Sequence, residues 1–169
     1  HSMVLKPFTI LFTVCEESTL AGSHFFQPDP QITHGFVFDS HLSPGSFVSE
    51  TCGAIAFKFK VKGKSSHAGV APEKGINAIQ LAGEGMRTFP FGRINASTTA
   101  NIGIIKGGIA TNVVPDVVEL EGEIRSDILD EGEELMHRVI ADFEKAATEK
   151  GGSVECSWNW DFKPYRVST

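Results

Sequence analysis

Phe57-Lys58-Phe59-Lys60-Val61-Lys62-Gly63-Lys64-Ser65-Ser66-His67-Ala68-Gly69-Val70-Ala71-Pro72-Glu73-Lys74-Gly75-Ile76-Asn77-Ala78 passes from a strand through a displayed loop into a helix. Phe57, Phe59 and Val61 alternate with Lys58, Lys60 and Lys62, and a period of two marks a half-buried strand. Ile76, Ile79, Leu81, Ala82 and Met86 then recur at close to helical spacing, which predicts a helix over 75–89. Between them lies His67, whose small neighbours Ser65, Ser66, Ala68 and Gly69 leave its ring uncovered. Loops carried by rigid elements are where functional side chains are usually placed. Taken alone, however, one loop histidine is more often merely solvated.

Toward the C-terminus the pattern stays regular. Residues 98–106, 117–126 and 153–160 read as strands, residues 54–62 as the strand before the loop, and 130–150 as a second helix. Gly107-Gly108 suits a turn between the two middle strands. Asp130 with Glu133 reads as a capping box, and Lys150-Gly151-Gly152 as a helix stop. The order βαββαβ is that of a ferredoxin-like split unit: an α+β fold with a four-stranded sheet and both helices on one face. Phe57, Phe59, Val61, Val118, Leu120, Ile124, Leu135, Val139 and Phe143 are the expected core. The first and third strands of such a sheet are neighbours. Lys58, Lys60 and Lys62 would then lie beside Glu119, Glu121 and Glu123 on the open face, each opposite pair adding ~0.2–1 kcal/mol. These charge rows and the helical stripe are therefore structural in origin.

Toward the N-terminus, residues 9–14 and 35–38 read as buried strands, 47–49 as another, and 18–24 as a short helix. The first strand runs into Glu16-Glu17, two adjacent carboxylates that repel unless a cation or solvent separates them. The second ends at Asp39. From the residues alone, Glu16-Glu17 is better read as a solvated turn, and Asp39 competes with the opening of a turn before Ser40 and Pro44. A domain boundary is expected between residues 52 and 53.

The 169 residues suffice for one domain and part of another. A net charge of −6 argues against nucleic acid or an anionic membrane as partner, and no apolar run is long enough to span a bilayer. Cys15, Cys52 and Cys156 are odd in number and widely spaced, which points to reduced thiols and a cytoplasmic setting. No Gly-x-Gly-x-x-Gly occurs, so a nucleotide-binding regulator has no support. His1-Ser2-Met3 reads as a tag remnant.

Ser66-His67-Ala68-Gly69, Pro72 and Gly75-Ile76-Asn77-Ala78 together resemble the lid-domain loop of a family of co-catalytic zinc peptidases. The family includes peptidase T, carboxypeptidase G, aminoacylase and succinyl-diaminopimelate desuccinylase. Gly107-Gly108 followed by Asn112-Val113-Val114-Pro115 resembles a second family segment, and Leu11-Phe12-Thr13 before Glu16-Glu17 a third. Thr98-Thr99-Ala100-Asn101-Ile102-Gly103 is most similar to the peptidase T-like tripeptidase branch. The resemblance implies hydrolysis of a peptide or N-acyl amide bond by metal-activated water, with two zinc ions per intact active site. It implies that Glu16 is the general base and that Glu17 and Asp39 are zinc ligands. His67 would steady the charge on the tetrahedral intermediate. Asn112 would bind substrate or intermediate, and Arg125 a substrate carboxylate, for which its planar fork is suited. It also implies a homodimer formed through the lid domain. On the residues alone, Asn112 is equally a turn residue, and Arg125 nearly as well a surface partner of a neighbouring glutamate. His41 ranks below Asp39, because the family pattern has no ligand there.

The family's upstream His-x-Asp occurs nowhere in the sequence, and its downstream histidine ligand is not reached. The chain therefore reads as a lid domain with C-terminal tail, residues 53–169, preceded by a remnant of the zinc catalytic domain, residues 1–52. It is expected to be inactive alone, with zinc absent or incomplete and a small peptide as the parent protein's substrate. The alternative is a dimerisation module without chemistry, since a ferredoxin-like fold does not by itself imply a function.

Overall fold

The computed structural model describes residues 7–16 and 20–167. Its contacts divide the chain into two units, His1–Gly45 and Ser46–Thr169.

The second unit holds β1 (Glu50–Thr51), β2 (Gly53–Lys62), β3 (Ser66–His67), β4 (Gly92–Arg93), β5 (Thr98–Gly107), β6 (Val113–Val114), β7 (Val117–Ser126), β8 (Ser153–Phe162) and β9 (Tyr165–Arg166). Two helices, α2 (Ala78–Thr88) and α3 (Leu129–Thr148), interrupt them. The main sheet is antiparallel with order β4-β5-β7-β2-β8. Its four long strands reproduce the βαββαβ order, with the first and third adjacent. The fifth strand, β4, corrects the expected count of four. The chain after α2 folds back so that Gly92 and Arg93 pair with Ala100 and Thr99, a run too short to carry a periodic signal.

Alternation along β2 and β7 directs one row of side chains toward the helices. Phe57, Phe59, Val61, Val118, Leu120 and Ile124 are buried there with Leu81 and Ala82 of α2 and Leu135, Val139 and Phe143 of α3. The opposite row forms the charged face. Lys58 pairs with Glu121 at 3.0 Å and Lys60 with Glu119 at 3.6 Å, both across β2–β7. Lys62 stands opposite Val117 and turns instead to Glu155 on β8, while Glu123 is taken by Arg125. These pairs are exposed, so each contributes only ~0.2–1 kcal/mol.

Helix ends differ from expectation. α2 begins at Ala78 rather than residue 75, because the Asn77 side chain caps it, accepting the N–H groups of Ile79 (2.9 Å) and Gln80 (3.2 Å). Asp130 does not form a capping box. α3 starts at Leu129 without a side-chain cap, and Glu133 accepts the indole N–H of Trp160 at 3.0 Å instead. The end of α3 follows the sequence: the N–H groups of Gly151 and Gly152 bond back to the carbonyls of Thr148 and Ala147.

Among the described residues of the first unit, α1 (Ala21–His24) is the one regular element; of the expected 18–24, residues 18 and 19 lie outside the described residues and Leu20 is left-handed, with φ +55°. Residues 9–14 and 35–38 are not strands, nor are 47–49 in the second unit. A strand requires a ladder partner for its N–H and C=O groups, and these runs find none among the described residues. Their side chains stay exposed, Phe12 at 89% and Phe38 at 97%.

Candidate functional site

The loop after β2 is laced to two other segments by backbone hydrogen bonds. The Gly63 N–H donates to the Asp116 carbonyl, Lys64 and Ile76 exchange both of their bonds, and the Ala78 N–H donates to the Pro115 carbonyl, each at 2.8 Å. β3 then pairs with β6, placing Ser66 opposite Val114 and His67 opposite Val113. The Ala68 N–H donates to the Asn112 carbonyl at 2.9 Å. His67 and Asn112, 45 positions apart in the numbering, thus share one ribbon, and both side chains are exposed. Gly108, with φ +80°, makes the turn that returns the chain from β5 toward Asn112, a conformation few residues other than glycine adopt.

His67 is held in a defined orientation. Its Nδ1 accepts the N–H of Gly69 at 3.1 Å. An accepting Nδ1 carries no proton, so in the neutral ring the proton sits on Nε2, which is left as a donor for a group outside the loop. Beside this ribbon lies an open depression of about 420 Å³, lined by Ala68, Asn77, Ile79, Ile109 and Val113 among others.

Arg125 lies elsewhere. It stands near the far end of β7, eight positions beyond Val117, or about 27 Å at the usual strand rise. Its guanidinium is forked onto Glu123, Nε to Oε1 at 3.0 Å and Nη2 to Oε2 at 3.2 Å. Those hydrogen bonds raise its pKa further, partial burial opposes them, and the charge of Glu123 and the nearby Cys52 add to the rise. Cys52 and Arg125 are too far apart in sequence for their proximity to leave a local signal.

In the first unit, Glu16 lies in a turn directly after Cys15, whose φ is +59°, and Asp39 lies in a segment without regular secondary structure; both are exposed. Glu17 lies outside the described residues. Among the described residues no three histidine, cysteine, aspartate or glutamate side chains gather closely enough to hold a metal. Zinc takes four ligands in structural sites and three plus water in catalytic ones, so the donors present here do not by themselves fit a zinc centre.

Sequence reasoning missed two supports of the ribbon. One is the Asn77 cap, signalled by an Asn immediately before an apolar-periodic run. The other is Ser66, whose Oγ is buried without a hydrogen-bond partner.

Residues 49–151, more than half of the chain, match the model of the M20 peptidase dimerisation domain. The uncharacterised protein YqjE of Bacillus subtilis is 37% identical over 146 residues, covering 86% of this chain and 39% of its own length. The crystal structure of aminopeptidase PepT from Bacillus cereus superposes with a TM-score of 0.84 at 36% identity, over 93% of this chain and 42% of that one. A tripeptidase from Staphylococcus aureus follows at 0.69 and 31% identity, over 72% and 32%. The chain spans about two fifths of the length of the first of these relatives. The lid-loop pattern, the βαββαβ sheet and these matches agree, and the chain belongs to the M20 peptidase family, whose dimerisation domain it contains.

Proposed function

We propose that this chain is the lid portion, with part of the catalytic portion, of a peptidase T-like tripeptidase that hydrolyses a peptide or N-acyl amide bond. The observation that carries the proposal is the β3–β6 pairing, which with the Ala68 N–H bond to the Asn112 carbonyl brings together the segments of an oriented His67 and of Asn112. The likeness to PepT and to the S. aureus tripeptidase supports the choice of branch. His67 would donate from Nε2 to the oxyanion, and Asn112 would hold substrate next to it. Glu16 is proposed as general base, Glu17 and Asp39 as zinc ligands, and Arg125 as the residue that meets a substrate carboxylate once released from Glu123. Two zinc ions per intact site are proposed for the parent protein, with the remaining ligands drawn from outside these 169 residues. The chain alone is proposed to be inactive. Three unpaired thiols support a cytoplasmic setting.

The test is an assay of the full-length gene product against tripeptides and N-acetyl amino acids, with and without chelation. Tripeptide turnover abolished by chelation and restored by zinc is expected; full-length protein that cleaves neither substrate class would overturn the reading.

A second reading, a dimerising module, is favoured by one observation. Beyond its two pairs with β4, the outer edge of β5 has no strand partner among the described residues, and β5 carries Ile104 and Ile105 there at 44% and 54% exposure. A homodimer formed through this edge is compatible with either reading.

A further inference from the structure

We propose that Gly75 is a positioning residue for His67, acting through its close contact with Ser66, an inference that rests on the reading of His67 as the group that meets the reacting substrate. Successive side chains of an extended strand point to opposite sides. On β3, His67 faces outward and exposed, while the Ser66 hydroxyl is buried without a hydrogen-bond partner. What lies beneath that hydroxyl is Gly75. A Cβ at Gly75 would stand 2.3 Å from Ser66 Oγ, 3.0 Å from Val114 Cγ1 and 3.1 Å from the Lys64 carbonyl oxygen.

Those three atoms belong to the parts that hold the histidine. Ser66 precedes it, Val114 is Ser66's partner across β3–β6, and Lys64 anchors the loop to Ile76. Gly75 therefore lets the segment that leads into α2 lie directly under the ribbon. Any side chain there must push Ser66 or Val114 away. Where Ser66 yields through its backbone rather than by rotation of its hydroxyl, the shift passes to His67 and to the Gly69 N–H bond that orients the ring. A buried hydroxyl without a partner brings no hydrogen-bond energy to its site. Ser66 is accordingly read as a size-limited contact, and Ser66→Ala alone is expected to leave the ribbon unchanged.

The test compares Gly75→Ala, Ser66→Ala and the double variant in the 169-residue chain by amide hydrogen exchange and the ring resonances of His67. In Gly75→Ala, the Ala68 amide should exchange about tenfold faster or more and the His67 resonances should shift, while the Phe59 and Leu120 amides keep their protection. Removing the Ser66 hydroxyl in the double variant should return both signals toward wild type, a coupling expected only of residues in contact. Unchanged Ala68 exchange in Gly75→Ala, or a change that Ser66→Ala does not reverse, overturns the proposal. Should Gly75→Ala not fold, the double variant decides: a wild-type His67 spectrum supports the inference, and failure to fold overturns it. In the full-length protein, Gly75→Ala should lower kcat and spare KM. If the ribbon moves and kcat does not, the positioning stands, and it is the catalytic reading of His67 that fails.

Discussion

The ring of Phe59 on β2 lies stacked on that of Phe143 on α3, with centroids 4.6 Å apart and planes 13° from parallel. Both are almost fully buried. The pair joins α3 to β2, an interior strand whose C-terminal end leads into the His67 loop. Phe143→Ala is expected to destabilise the domain by about 3–5 kcal/mol, read by chemical denaturation. A loss below about 1 kcal/mol would mean that the core collapses around the gap.

Two glycines of α2 should respond oppositely to alanine. At Gly85 a new Cβ would come within 2.4 Å of the Phe143 ring, whereas at exposed Gly83 it would meet nothing within 4 Å. Gly83→Ala should stabilise by up to about 1 kcal/mol through helix propensity alone. Gly85→Ala should destabilise, because the ring it displaces is already packed against Phe59. Thermal melts of the two variants give the comparison directly, and equal shifts would sink it.

Acid should weaken a clamp at the start of α3. The Glu131 carboxylate accepts from Ser97 Oγ (2.8 Å), Thr98 Oγ1 (3.2 Å) and Asn95 Nδ2 (3.3 Å). The Ser97 bond above all holds its pKa below the ordinary carboxylate range. A depressed folded-state pKa means that the unfolded chain binds the proton more readily. Its stabilisation is therefore fully present above the unfolded value, about 4.3, and is lost as the pH falls through the lower folded value. Glu131→Gln should lower the melting temperature at pH 7 and flatten its fall over that window, so that the variant and the unaltered chain converge at acid pH. An unaltered acid slope would show that the clamp contributes nothing.

Most of the lid fold was legible because its signals are local and repeated. Phe57, Phe59 and Val61 and their lysine neighbours announce a strand, its buried face and its charged face together, and the adjacency of β2 and β7 follows from topology, while the register that sets Lys58 opposite Glu121 does not. The stripe through Leu135, Val139 and Phe143 does the same for α3. What stayed hidden depends on residues far apart in sequence. Ser66 under Gly75, Cys52 beside Arg125 and the two-residue strand β4 have no periodic trace. The runs at 9–14 and 35–38 show the converse. Their composition is that of strands, yet a strand also needs a neighbour, and among the described residues they have none. For the proposed site, the stretch around His67 is legible as a displayed loop, but its pairing with the Asn112 segment joins residues 45 positions apart and leaves no local trace.

The open edge of β5 should make the chain self-associate. Unpaired strand edges with apolar side chains seek partners, and the matched family domain is a dimerisation domain. Sedimentation is expected to show a dimer, and Ile104→Lys, which places a charge on that edge, to shift it toward monomer. Monomer alone at high concentration of the unaltered chain would remove the support.

His67→Ala in the full-length protein tests the chemical reading most directly. The imidazole is oriented by the Gly69 N–H, and its free Nε2–H would meet an oxyanion that exists fully only in the transition state. Interactions made only there appear in turnover rather than in substrate binding. Loss of one such donor costs about 2.7–4 kcal/mol, so kcat should fall roughly a hundred- to a thousandfold while KM stays within a few fold. Neighbouring Ser65, Ser66, Ala68 and Gly69 are too short to replace the ring. Metal content should not change, because His67 is not proposed as a ligand. Near-normal turnover would reduce His67 to a loop residue. Loss of metal on His67→Ala would instead assign the ring to the metal site, and the β3–β6 pairing would then position a ligand rather than an oxyanion donor.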